Sequence, residues 1–435
     1  VGELELEHAF VEGLEEAGEL ELEQAYIDFL VKREFNIRAG MVLVPIGIIN
    51  ERHEPPVYHG VERPFVDTVI VPSTWFEAGA GVHGEFSGGF RYRAYVMAPL
   101  DAAGFSAGDG IRDGRQKGSR ANVRHPAFAG RLEYLGLRGL TLGVSGWKGK
   151  SIFSQPRLDV APSVAIIETD ARFRRQRLEL RGQFARVAIS DAARLNDEVG
   201  RLVGVSPNIA SALQGFYGEA SYRLWNQGSP RDLVGFVRYE NFDTQKKMPS
   251  GFLPLKEFDR DAWIAGVTYY PDPDIAVKVD YVAQRNQTGF IIAPNSFNIG
   301  LGRRSPSMRV SVIATTLLCV AGVGVGVLGR QQSSPRVVRI TAERFSFSPS
   351  EITVQLGEEI DLRIESEDTS HGFRLNEANI DAVVPKRGDG ELSVLFRPER
   401  AGRYAFECSR MCGAGHDFMR GVLVVRDPAD RSGQR

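Results

Sequence analysis

Cysteine is nearly missing from this chain: there are three in 435 residues, at Cys319, Cys408 and Cys412. That excludes a disulfide framework, which needs paired cysteines spread along a short sequence. Tryptophan is sparse at 4 residues, and neither sign of charge dominates, the formal net charge being −2. No bulk field points to nucleic acid as a partner. A C-x-x-C-H haem motif is absent, and so is an initiating methionine, Val1 standing first. A processed or truncated start is therefore expected, with any signal peptide out of view. Over residues 1–302 no sustained 3.6-residue apolar period wins over a period of two.

What is present is glycine, 47 residues, with 25 Phe and 12 Tyr, set among short alternating runs. In Ile275–Tyr281 the residues Ile275, Val277, Val279 and Tyr281 share one face, and Ala276, Lys278 and Asp280 the other. The turn sequence Pro271-Asp272-Pro273-Asp274 separates this run from Trp263–Tyr270, which predicts a hairpin. Leu178, Leu180, Gly182 and Phe184 oppose Arg177, Glu179, Arg181 and Gln183 in the same way. Gly2–Phe10 returns imperfectly as Gly18–Tyr26, which reads as two successive strands. A soluble antiparallel sheet with one wet side explains such alternation. So does a transmembrane barrel, apolar outside and polar inside. Aromatic pairs near strand ends, as in Phe90-Tyr92 and Tyr269-Tyr270, and long polar loops such as Ala102–Arg124 favour the barrel. His53 and His59 flank Pro55-Pro56 without a matching acidic or thiol spacing, and are expected to be solvated.

The segments Glu19–Leu30, Arg38–Gly47, Asn50–Arg63, Val71–Trp75 and Phe297–Gly302 resemble bacterial outer-membrane porins of the phosphate-selective porin O/P type. The resemblance implies an antiparallel transmembrane β-barrel over 1–302 in the outer membrane. Passive diffusion of small solutes, with anions a weak preference, goes with it.

Arg309 and Arg330 bracket Val310–Gly329, twenty residues without charge, long enough to cross a bilayer as a helix. Residues 303–335 thus read as a basic flank, a membrane or signal-anchor helix and a polar linker. Cys319 follows Leu318, so it reads as a helix residue and not a lipid-acceptor cysteine. A barrel belongs to the outer membrane and such a helix to the inner one. The join therefore suggests two adjacent coding units read as one.

Residues 336–427 return to short strands, Val337–Ile340, Glu351–Val354, Ile360–Ile364, Leu392–Phe396 and Val422–Val425, which fit a Greek-key sandwich. A polar tail, 428–435, follows. Within twelve residues stand Cys408, Cys412, His416 and Met419, spaced C-x3-C-x3-H-x2-M, with His371 37 positions upstream of Cys408, past the end of a strand. Thiolate, imidazole and thioether form a soft ligand set suited to copper. A disulfide leaves the histidines unexplained, and a Cys2His2 zinc site has no use for the thioether. Two thiolates on one loop suit a binuclear site better than a blue mononuclear one.

The loop resembles the CuA loop of cytochrome c oxidase subunit II and of nitrous oxide reductase, and the resemblance implies a cupredoxin fold with two copper ions. It implies Cys408 and Cys412 as bridging thiolates, His371 and His416 as terminal ligands, and Met419 and the Arg410 backbone carbonyl as weak ligands. Arg410 stands where the oxidase pattern has Glu, which puts docking to a conventional oxidase in doubt. One-electron transfer between a donor such as cytochrome c and a respiratory acceptor is implied, in a membrane-anchored periplasmic domain. No catalytic group of its own is evident. A copper carrier or chaperone is the competing reading.

Overall fold

The computed structural model describes residues 2–7, 19–118, 121, 124–154, 160–225, 231–288, 295–303, 335–410, 412 and 416–427. Fourteen strands pair antiparallel in sequence order. They are β1 (Gly2–Glu7), β2 (Glu19–Lys32), β3 (Phe35–Leu43), β4 (Phe76–Phe86), β5 (Phe90–Met97), β6 (Ala127–Leu137) and β7 (Leu140–Lys150). β8 (Ser163–Arg175), β9 (Leu178–Ile189), β10 (Ala212–Arg223), β11 (Asp232–Lys247), β12 (Asp259–Asp272), β13 (Ile275–Asn286) and β14 (Ser296–Arg303) complete the sheet. The repeated segments are the neighbours β1 and β2, and the expected hairpin is β12–β13.

Burial along the strands is inverted relative to a water-soluble sheet. Phe29, Trp263 and Leu301 are 59%, 55% and 78% exposed, whereas Arg91 and Glu168 are 2% and 0%. Enclosed arginines pair with carboxylates: Arg131 reaches Asp170 at 2.6 Å and Glu133 at 3.1 Å, and Arg238 reaches Glu240 at 2.8 Å and Glu219 at 3.2 Å, while Lys278 lies over the Tyr58 ring instead. Strand alternation forces this arrangement, because successive side chains point to opposite faces.

Tight turns, at 33–34, 87–89, 138–139, 176–177 and 273–274, all lie at one end of the sheet, together with the longer 224–231 connection, and longer segments join the strands at the other end. One of these, 44–75, folds back inside the curl of the sheet. Its Val66 N–H donates to Glu240 of β11, its Val61 N–H to Asp280 of β13, and Gln183 of β9 donates to its Asp67 at 2.8 Å. Strands from β2 to β13 thus face one shared filling. His53 and His59 belong to it and are buried, contrary to the solvated positions expected from sequence. His53 has an acidic partner from a distant strand, Glu23, at 2.9 Å. Residues 102–118 also fold inward, burying Phe105 and Ile111. Tyr270, read from sequence as one of an outer aromatic pair, is turned inward and is 4% exposed.

A helix that strand periodicity conceals, α1 (Ala192–Val203), lies between β9 and β10. Ala192 and Leu195 anchor it, Asn196 clamps the Ile209 backbone in both directions, and Gly204 ends it in the left-handed conformation. The apolar run Val310–Gly329 lies outside the described residues, as does Cys319. Among the described residues no helix is long and apolar enough to cross a membrane.

Nine further strands form a two-sheet sandwich: β15 (Arg336–Glu343), β16 (Ser346–Ser348), β17 (Glu351–Gln355), β18 (Ile360–Ser366), β19 (His371–Leu375), β20 (Ile380–Val384), β21 (Glu391–Phe396), β22 (Gly402–Glu407) and β23 (Arg420–Arg426). One sheet orders β16-β15-β18-β21, the other β17-β23-β22-β19-β20. Between them Phe347, Phe373 and Phe406 pack with ring centroids 5.2–5.9 Å apart.

Burial alone would lower the His53 pKa, but the Glu23 carboxylate outweighs it and holds the imidazole up at about 9. A raised histidine pKa stabilises fully below the unfolded value of about 6.5 and loses that contribution as pH rises through the folded value. The 44–75 filling should therefore loosen as pH passes about 9. Loss of the charged pair should cost on the order of 3 kcal/mol. Fluorescence of Trp75, whose ring is tilted 45° to that of Trp147 at 5.5 Å, should report the step, and His53→Gln should remove it.

Candidate metal centre

The second sheet carries the sulfur and nitrogen side chains to one end of the sandwich. His371 opens β19 instead of lying past a strand, and is fully buried. Cys408 follows β22, and Met419 immediately precedes β23; the Cys408 N–H donates to the Met419 carbonyl at 2.9 Å, so the intervening loop is closed at its base. Gly372 lets that loop approach: a Cβ there would lie 2.2 Å from Ser409 Oγ and 2.5 Å from its amide nitrogen. Hydrogen at this position is a steric requirement, since any side chain would push the Cys408 segment away.

All six predicted positions are brought together. Cys408 Sγ lies 3.9 Å from Cys412 Sγ, 4.0 Å from His371 Nδ1 and 3.0 Å from the Arg410 carbonyl oxygen. Cys412 Sγ lies 3.7 Å from His416 Nδ1 and 3.8 Å from Met419 Sδ. The cluster is two-sided: each sulfur has its own imidazole and its own weak donor. Both cysteines are free and buried, and their separation is far beyond a disulfide bond of about 2.05 Å. Metal–thiolate bonds are about 2.3 Å, so sulfurs at this spacing can both touch one ion. His371, Cys408 and Cys412 alone already meet within 4.8 Å. The residues fit a soft metal.

The electrostatics agree with a site poised to exchange protons for a cation. Hydrogen bonding with Cys412 is the largest influence on Cys408 and, with His371, His416 and the Gly372 N–H, holds its thiol far below the ordinary range. Cys412 is pushed up, first by Cys408 and then by burial. One thiol is favoured as thiolate and its neighbour disfavoured, and binding a metal to both would release any proton they still hold. Burial opposes charge on His371, yet the Asp368 carboxylate and the Cys408 sulfur hold its pKa up at about 9.

Sequence reasoning missed two residues here. Asp368 accepts from His371 Nε2 at 2.7 Å, which turns Nδ1 toward the sulfurs; a carboxylate three residues before a ligand histidine is the signal that could have found it. Phe418, beside Met419, leaves the sandwich and packs edge-on against His83 of β4 at 5.0 Å, with Arg38 and Arg93 above its ring. Nothing local marks that contact. The Arg410 side chain is exposed, so only its carbonyl belongs to the cluster.

With this geometry in place, likenesses to known proteins can be set beside it. The chain is 32% identical over 288 residues to an uncharacterized protein of Aquifex aeolicus (strain VF5), covering 65% of each. Over 92 residues, 21% of this chain, it is 38% identical to cytochrome c oxidase subunit 2 of Thermus thermophilus, of which 65% is covered. The chain thus spans 65% of the length of either curated relative. The solved structure of Salmonella typhi OmpF in complex with daunomycin is 13% identical, covering 65% of this chain and 78% of that one, with a TM-score of 0.44. Residues 311–425 match the family model of the cupredoxin-like domain.

Proposed function

We propose that residues 336–427 are a copper-binding electron-transfer domain of the CuA type, joined through 303–335 to a porin-like barrel formed by 1–302. The observation that carries this reading is the two-sided cluster, with His371 and the Arg410 carbonyl on the Cys408 side and His416 and Met419 on the Cys412 side. A carrier needs one accessible ion site, whereas this paired set of donors would hold two ions. When bound, copper would supply one-electron redox chemistry with little change in geometry. The chain's own part is to bind, orient and keep dry. Asp368 fixes His371, the Gly372 N–H donates to Cys408 Sγ at 3.3 Å, and Cys408, Cys412 and Met419 are 5% exposed or less. Hydrogen bonds to sulfur and burial of this kind tune a metal's potential.

For 1–302 the reading rests on inverted burial: an apolar outer face, paired charges within, and a sheet curled around the 44–75 filling. Closure of β1 on β14 into a transmembrane barrel, with passive diffusion of small solutes, is part of the proposal. So is its place in the outer membrane. Tight turns of such barrels face the periplasm, and the sandwich contacts the tight-turn end, through Ser348 to Gly139 and Glu351 to Gly88. These contacts favour a genuine single chain, tethering an electron carrier at the outer membrane, over two coding units read as one.

Copper loading of the full chain should give a mixed-valence paramagnetic resonance spectrum with hyperfine splitting from both copper nuclei. Cys412→Ser should abolish it. A single labile copper with an ordinary mononuclear spectrum would favour the carrier reading and sink this one. Met419→Leu should keep both ions and raise the reduction potential by on the order of tens of millivolts, because a weak donor to the oxidised state is lost. Protein-film voltammetry measures that shift, and an unchanged potential would remove Met419 from the ligand set.

A further inference from the structure

The tight-turn end of the sheet raises a group of arginines toward the sandwich. Arg172 and Arg174 of β8 both donate to Glu343, at the end of β15, at 2.7 Å each. Arg223 of β10 donates to Glu367, just past β18, at 2.5 Å. Around this pair of carboxylates Lys386 meets Asp272 at 2.5 Å and Arg138 meets Glu365 at 2.9 Å. Across the same end, Phe418 sits between Arg38, His83 and Arg93. Glu343 and Glu367 are only 16% and 14% exposed at the side chain, so they are not ordinary surface pairs. Burial pushes both carboxyls up, yet the arginines outweigh it and hold them below the usual range.

We propose that the sandwich is a charge-latched plug seated in the tight-turn mouth of the barrel, with Glu343 and Glu367 as the latch. The carboxylates occupy the arginines that would otherwise face solutes entering from that side, and Phe418 fills the opposite margin. Seating would therefore limit passage through the barrel, and unlatching would raise it. The inference rests on the reading of 1–302 as a pore, so its test needs one readout that is independent of conduction.

Full-length protein and two double variants, Glu343→Gln with Glu367→Gln and Glu343→Arg with Glu367→Arg, would be compared by hydrogen exchange and by planar-bilayer conductance. The Gly88 and Gly139 amides donate to Glu351 and Ser348 of the sandwich, at 2.8 Å and 3.0 Å, and so report seating directly. Their exchange should accelerate about tenfold or more in the variants, the arginine pair exceeding the glutamine pair, while β15–β23 keep their protection. Conductance should rise in the same order. Unchanged exchange at both glycines beside a conducting wild type would overturn the latch alone. Faster exchange with conductance equal to wild type, and above zero, would overturn the plug role. Faster exchange with no conductance in any variant would overturn the pore reading and the plug together.

Discussion

The sheet, and the seat of the sandwich upon it, depend on pairing charges that have been taken out of water. The sheet turns its apolar face outward, so its charged face is enclosed, and an unpaired ion there would cost several kcal/mol. Arg131 answers this by meeting Glu133 and Asp170, and Arg238 by meeting Glu219 and Glu240. The 44–75 segment extends the same solution to backbone groups, since Val61 and Val66 donate to Asp280 and Glu240.

The same interaction reaches the sandwich. Glu343 and Glu367 complete arginines of β8 and β10 that the sheet only partly satisfies through Glu179 and Asp232. The metal cluster is built on the other principle, a dry pocket of soft donors with few formal charges. The two meet at Phe418, one residue from Met419, whose ring lies against Arg38 of the sheet. Sequence alone makes the two units seem unrelated, because a barrel and an apolar helix belong to different membranes. The contacts at the tight-turn end supply a physical link that composition does not carry.

Much of this was legible because it is local. Period-two alternation in β9 and β13 identified which residues share a face, and the sulfur and histidine spacing after β22 identified the cluster. The short strands β16, β19, β20 and β22 were missed, since runs of three to six residues give little periodic signal. Helix α1 was missed because twelve residues hardly register within so long a run of alternation. His53 looked solvated because its partner, Glu23, is thirty positions away. Asp368 had a readable spacing, whereas Phe418 against His83 is a contact that no local pattern encodes.

The direction of β14 has a further consequence. It runs from the long-segment end, at Ser296, to the tight-turn end, at Arg303, and so releases the chain on the side where the sandwich is seated. Parity decides this. Gaining or losing a whole hairpin would alter the girth of the sheet yet still release the chain at the same end. Gaining or losing a single strand would release it at the opposite end, away from the turns that seat the sandwich. Strand number in this chain is therefore constrained modulo two by the appended domain, over and above the even count that antiparallel closure favours in any such barrel.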